Sequence, residues 1–149
     1  MDSSRILHQL IHLFKTKEEQ QFKVTRLSAR EWHVLEHIRE DNAWRFNDFA
    51  ENYQIKPSTL TNIIERLERK GLVERIRSEG DRKAVYLHRT LRGNEIVTQH
   101  IEEDQVFFDR MLSPLNQIEK EQFIKLAKKI TDVGEIFQED LYEKSINKS

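Results

Sequence analysis

Between Pro57 and Gly71 the chain spells out one complete helix, and the pair of β-like runs directly after it leaves few folds open. Pro57 suits a first helical turn because the N–H it lacks is one a helix leaves unpaired anyway, and Lys56 before it is biased away from the α region. Leu60, Ile63, Ile64 and Leu67 then recur at i, i+3, i+4 and i+7, the spacing of a single buried stripe. Gly71, after Lys70, can take the left-handed backbone that closes a helix. The two β-like runs are LVERIR (72–77) and AVYLHR (84–89), around SEGDRK, whose Gly80 and Asp81 signal a turn. A bounded helix leading straight into a two-stranded hairpin with a charged tip is the expectation for this stretch.

Elsewhere punctuation is sparse. Four Gly and two Pro in 149 residues favour long helices over a many-turned β-fold. Ile6, Leu7, Leu10, Ile11, Leu13 and Phe14 give a first amphipathic helix over about 3–22. Ser28 and Glu31 form a capping box that starts a second at residue 29, with Leu35 and Ile38 on its buried side. RFNDFAENYQ (45–54) supports a short third helix around Phe46, Phe49 and Ala50. Thr90 can cap a long helix through Ile96, Val97, Ile101, Phe107, Phe108, Met111 and Leu112, which Ser113-Pro114 should end. A last helix carries Phe123, Leu126, Ala127, Ile130, Val133, Phe137 and Leu141, and the final SINKS is expected to fray.

The fold class expected is mainly α with a small β-hairpin wing. No repeat or low-complexity linker divides the chain, so residues 1–149 read as a single domain, with a lobe at 28–92 and helical extensions at 3–22 and 93–145. Both extensions carry apolar stripes that the small lobe between them cannot cover. They predict a homodimer.

Net charge is −1, but residues 45–92 hold eleven basic against seven acidic residues, while residues 93–149 hold seven against twelve. A basic middle attracts polyanions whatever the whole-chain sum, and an acidic end leaves it as the contact surface. There is no cysteine, which excludes disulfides, thiolate nucleophiles and iron–sulfur ligation. No segment approaches the roughly 18 uninterrupted apolar residues of a membrane span, and the N-terminus does not read as a secretory signal. A soluble, cytoplasmic protein is expected, with no membrane partner. No phosphate-cradling glycine loop, nucleophile elbow or distinctive carboxylate pair is present, so neither an enzyme nor a bound cofactor is expected.

On a 100° wheel the side of helix 57–70 opposite its apolar stripe shows Ser58, Asn62, Glu65, Arg66 and Arg69, with Thr59 and Thr61 on the flanks. Hydroxyls and an amide near a helix N-terminus, followed by arginines able to pair bidentately with guanine, suit the major groove. A merely solvated face would use similar residue types, but it would not explain the hairpin with Arg82 and Lys83 at its tip. Helix, turn, capped helix and charged hairpin come in the order of a winged helix-turn-helix.

LSAREWHVLEHI, LTNIIERLERKGLVER and GDRKAVYL together resemble the MarR (multiple antibiotic resistance regulator) family of transcription factors, over about residues 3–145. The resemblance implies a homodimer whose N- and C-terminal helices intertwine and whose winged-helix lobes bind double-stranded DNA at a pseudopalindromic operator. It implies a repressor released by a small effector, often phenolic or an aromatic carboxylate. It places Ser58, Thr59, Thr61, Asn62 and Arg66 on the recognition helix and Arg82 and Lys83 at the wing tip, with Asp81 shaping the loop. Lys56 and Arg69 flank that helix. Three features depart from the family: Lys83 stands where arginine is frequent, Arg89 where an apolar residue is usual, and Arg45, in place of a Ser/Thr cap, opposes the dipole of the third helix unless a phosphate lies nearby. Arg45 and Arg89 are therefore further candidates for phosphate contact.

Two histidine pairs at i, i+4 compete for attention, His8/His12 and His33/His37, each able to offer both imidazoles to one side of a helix. A metal-responsive regulator of the same fold is the alternative they raise, with Glu36, His88 or His100 as third ligand. A small-molecule pocket is the other use of this region, and His12, Arg26, Trp32 and His33 are its candidates, although Trp32 also suits an ordinary core. A helical interaction module that binds no DNA would account for the terminal helices but not for the wing or the outward Asn62 and Arg66.

Overall fold

The computed structural model describes residues 2–39, 43–80 and 84–146, with side chains up to residue 133. Helix α1 (Ser3–Thr25) is capped by Asp2, which accepts from the Arg5 N–H at 3.3 Å, and it runs three residues past the expected end to stop at Arg26 in the left-handed region, φ 56°. The capping box that opens α2 (Ala29–His37) is formed in both directions: the Glu31 N–H donates to Ser28 Oγ at 3.1 Å and the Ser28 N–H to Glu31 Oε2 at 2.9 Å. A short strand β1 (Trp44–Arg45) leads into α3 (Phe46–Asn52), and α4 (Pro57–Arg69) follows with proline in its first turn. Gly71 takes φ +72° as the chain leaves α4 for β2 (Val73–Arg77) and β3 (Val85–Arg89). Helices α5 (Leu91–Leu112) and α6 (Gln117–Ile146) complete the chain. Asn116 and Glu119 form a second reciprocal cap at the start of α6, which extends into the tail expected to fray; residues 147–149 lie outside the described ones.

The expected hairpin forms, β2 pairing antiparallel with β3, and the short β1 extends it to a three-stranded sheet in the order β1-β3-β2, with Trp44 opposite Leu87 and Arg45 opposite Tyr86. Two residues are too few to write an alternating pattern, so β1 has no signature of its own. It is held instead by the Trp44 ring, which meets Phe49 and Tyr53 edge-on at 5.6 and 5.9 Å. Arg45 is both the second residue of β1 and the N-cap of α3, where its side chain makes no capping hydrogen bond.

The core is built from one face of each element of the lobe. Val34, Leu35 and Ile38 from α2, Phe49 from α3, Leu60, Ile64 and Leu67 from α4 and Leu87 from β3 are fully buried. At about 25 cal/mol per Å² of apolar surface, each contributes roughly 1.5–3 kcal/mol. The sheet is fastened to the helices at one joint. Thr90 donates its backbone N–H to the Leu72 carbonyl at 3.0 Å and its hydroxyl to the Gly71 carbonyl at 2.6 Å, while the same hydroxyl accepts the Gly93 N–H at 3.0 Å as the cap of α5. Gly93 is buried against this joint, and a methyl group on it would collide with the Leu72 carbonyl.

The chain separates into two compact units, residues 1–103 and residues 104–149. The first holds the lobe together with α1 and the first half of α5. In the second, the Phe107 and Phe108 rings meet at 5.6 Å, and Ile118, Ile124, Leu126, Ile130 and Val133 are exposed. No described helix is long and apolar enough to cross a membrane.

Candidate nucleic-acid interface

The expected wheel of α4 is realised: Leu60, Ile63, Ile64 and Leu67 are buried, Ser58, Asn62, Glu65, Arg66 and Arg69 are exposed, and Thr59 and Thr61 are half-buried on the flanks. Thr61 Oγ1 donates to the Pro57 carbonyl at 2.8 Å, which satisfies the hydroxyl locally while its oxygen can still accept. Arg69 Nε donates to the Glu65 carbonyl at 3.3 Å. Lys56 is exposed at the N-cap, where no side chain caps the helix, so the first N–H groups of α4 and the positive end of its dipole are open to an anion.

Beside this helix lies a cleft of about 180 Å³ lined by Arg45, Phe46, Asn47, Thr61, Arg75 and Val85. Arg75 is held by a two-pronged ion pair with Glu68, at 3.0 and 2.8 Å, so its charge is partly matched. Arg45 is exposed on the edge strand of the sheet. No sequence pattern joins Asn47 and Arg75 to Arg45; the register of β1 creates that neighbourhood, and β1 is the element without a signature. Arg89 is half-buried at the end of β3, with Nε shielded from solvent, a less open position than those of Arg45 and Lys56. Asp81, Arg82 and Lys83 lie outside the described residues.

The base of α4 is locked to the start of α2. Lys70 Nζ donates to Glu31 Oε2 at 2.8 Å and to the Arg26 carbonyl at 2.8 Å. Glu31 is only 4% exposed. Burial pushes its carboxyl up, but the hydrogen bonds from Lys70 and the Ser28 N–H, with the charges of Lys70 and Arg66, outweigh that and hold it below the usual glutamate value. Glu31 thus serves both as helix cap and as anchor for α4, the second role having no local signal because its partner is 39 residues away.

The four effector candidates lie in different surroundings. Trp32 is buried in the core and stacks on His100, ring centroids 3.7 Å apart and nearly parallel, while Arg26 is exposed and presents its carbonyl to Lys70. His12 is exposed on α1, and His33 is exposed on α2. A cavity of about 220 Å³ between α1 and α5 has a different lining: Lys17, Gln20, Gln21, Val24 and Glu103. Buried Gln21 donates Nε2 there to Glu103 Oε2 at 3.1 Å. Of the histidine pairs, His33 and His37 are joined by Glu36, and the possible ligand atoms of the three lie within 4.8 Å of one another. Among the described residues no such trio forms around His8 and His12, and His88 and His100 are not part of this one.

A family model described as the MarR family matches residues 27–85, the stretch holding the capping box, α2 to α4 and β2. That stretch carries the MarR-family pattern. It is 33% identical over 106 residues to the HTH-type transcriptional regulator PecS of Dickeya dadantii (strain 3937), a match covering 66% of this chain and 61% of that regulator. The chain therefore spans less than two thirds of that relative's length. The fold matches the crystal structure of Streptococcus pneumoniae FabT in complex with DNA, with a TM-score of 0.70 at 25% identity over 94% of this chain and 99% of that one. It also matches the S. aureus MepR–DNA complex, with a TM-score of 0.74 at 22% identity over 87% and 98% of the two chains. At that identity the MepR likeness speaks for the MarR fold alone.

Proposed function

We propose that the protein is a sequence-specific DNA-binding transcriptional regulator: a homodimeric repressor of a pseudopalindromic operator, released by a small phenolic or aromatic effector. The observation that carries this reading is the division of α4, a helix fully buried on one side and lined on the other by Ser58, Asn62, Arg66 and Arg69. A polar face of that composition, at the end of a helix-turn-helix and beside a sheet, fits a major groove. Its relative PecS is named as a transcriptional regulator, and FabT was solved with DNA.

In this reading Ser58, Thr59, Thr61, Asn62 and Arg66 meet base edges. Lys56, at the uncapped start of α4, and Arg69 meet phosphates on either side. Arg45 and Asn47 offer a phosphate the cleft next to Thr61. Arg82 and Lys83 reach the flanking backbone or minor groove, and Arg89 supports the base of the wing. Dimerisation uses the exposed apolar residues of the terminal helices, Ile6, Leu7, Ile11 and Leu13 in α1 and Ile124, Leu126, Ile130 and Val133 in α6. Such stripes on a lone chain need a covering surface.

The experiment is a selection of genomic DNA fragments by the purified protein, followed by a screen of small aromatic acids and phenols for release of the best fragment. The reading expects a recurrent two-fold symmetric site bound by two chains. Retention of fragments without any common sequence would contradict it.

A further inference from the structure

The last turn of α2 carries three side chains with no part in the interface above. His33, Glu36 and His37 gather there with their possible ligand atoms within 4.8 Å of one another. The two imidazoles are i, i+4 neighbours, with ring centroids 4.5 Å apart. His37 Nδ1 lies 2.7 Å from the His33 carbonyl. A carbonyl can only accept, so this contact is a hydrogen bond when the His37 proton sits on Nδ1, and in that tautomer Nε2 keeps its lone pair. Metal-bound histidines are held in this way, by a backbone acceptor on the nitrogen that does not ligate. Tyr53, the residue that ends α3, packs against both rings, at 5.8 Å from His33 and 4.7 Å from His37. Tyr53 is itself packed on Phe49 at 4.6 Å, so the rings rest on the aromatic part of the core.

We propose that His33, Glu36 and His37 form a surface site for a late first-row divalent cation, with zinc as the probe that fits it best. Two imidazoles and one carboxylate are the donor set that such cations prefer. In a tetrahedral zinc site the ligand atoms stand roughly 3.3 Å apart. His33 and Glu36 are both exposed, so their side chains have room to turn toward that spacing from 4.8 Å. The position suits a cation in a second respect. The helix ends at His37, so the ion would lie at the negative end of the α2 dipole. Three ligands leave the fourth position to water, and the exposure of the trio makes it a site that exchanges its ion with solvent. Such a site stands whether or not the protein binds DNA.

The test is calorimetric titration of zinc chloride into the full chain, with any purification tag removed, accompanied by long-range proton–nitrogen spectra of the histidine rings. The expected result is one zinc per chain, with the Nε2 resonances of His33 and His37 shifting together. His33→Gln and His37→Gln should each lower affinity on the order of tenfold or more, Glu36→Gln should lower it less, and a His8→Ala/His12→Ala variant should bind like the parent. Circular dichroism identifies any variant that fails to fold, and the ring spectra of the parent then decide. No saturable uptake, or zinc-dependent shifts confined to His8, His12, His88 or His100, would overturn the proposal.

Discussion

Glu31 shows how much one side chain can carry. It closes the capping box of α2 and, through Lys70, ties the base of α4 to the α1–α2 turn. Because its folded-state carboxyl is held below the usual value, its contribution is fully present above the ordinary glutamate pKa and is lost as pH falls through the lowered one. Glu31→Gln should therefore cost about 1–3 kcal/mol near neutral pH and flatten the acid limb of stability, measured by urea unfolding between roughly pH 7 and pH 3. An acid limb identical to that of the parent would show that the pair with Lys70 contributes nothing. Gly93 has a different importance. With the Leu72 carbonyl where its side chain would stand, Gly93→Ala should destabilise by about 1–3 kcal/mol or shift the sheet against α5, seen as a lower urea midpoint. On the exposed face of α4, Asn62→Ala should keep the parent's midpoint and Arg66→Ala should lower it only slightly, through the lost charge near Glu31, while each should weaken operator binding by about 1–3 kcal/mol.

Among the elements, the wing is where electrostatics should outweigh sequence reading. Arg82 and Lys83 are the cations the sequence supplies between β2 and β3, and contacts to phosphate alone do not discriminate bases. Replacing both with Ala should weaken binding to many sequences together and make the plot of log affinity against log salt shallower, by about one unit for each phosphate no longer neutralised in each subunit. An unchanged slope with unchanged affinity would mean that the wing does not touch DNA. How far these elements can be read from sequence depends on whether their signals are local. The start of α2, the limits of α4 and the cap at Thr90 rest on residues within a few positions of one another, and they lie where the patterns put them. The exposed face of α4 is legible for the same reason, since a helix with four buried positions fixes all the others. Strand β1 is not, because its only evidence is pairing with residues more than forty positions away. The Lys70 lock, the Gly93 contact and the cleft beside Arg45 are hidden likewise, each being made by elements that meet only in three dimensions.

For the whole molecule the governing quantity is uncovered apolar surface. Leu7 is 57% exposed on α1 and Ile130 71% exposed on α6. Surfaces of that kind on both terminal helices should drive a tight homodimer, and sedimentation at micromolar concentration should find two chains per particle, whereas a folded monomer would contradict the assembly. A two-fold assembly would in turn set two copies of α4 against two half-sites, about one helical turn of DNA or a multiple of it apart. Sequence-specific recognition by the α4 face is the claim on which the functional reading stands. The most direct measurement compares the affinity of the parent and of Arg66→Ala for the best selected duplex and for a scrambled duplex of equal length and composition, at one fixed salt concentration. The parent is predicted to prefer the selected duplex strongly, and Arg66→Ala to lose much of that preference while retaining its affinity for the scrambled one. Equal binding of both duplexes by the parent, or an undiminished preference in Arg66→Ala, would contradict it.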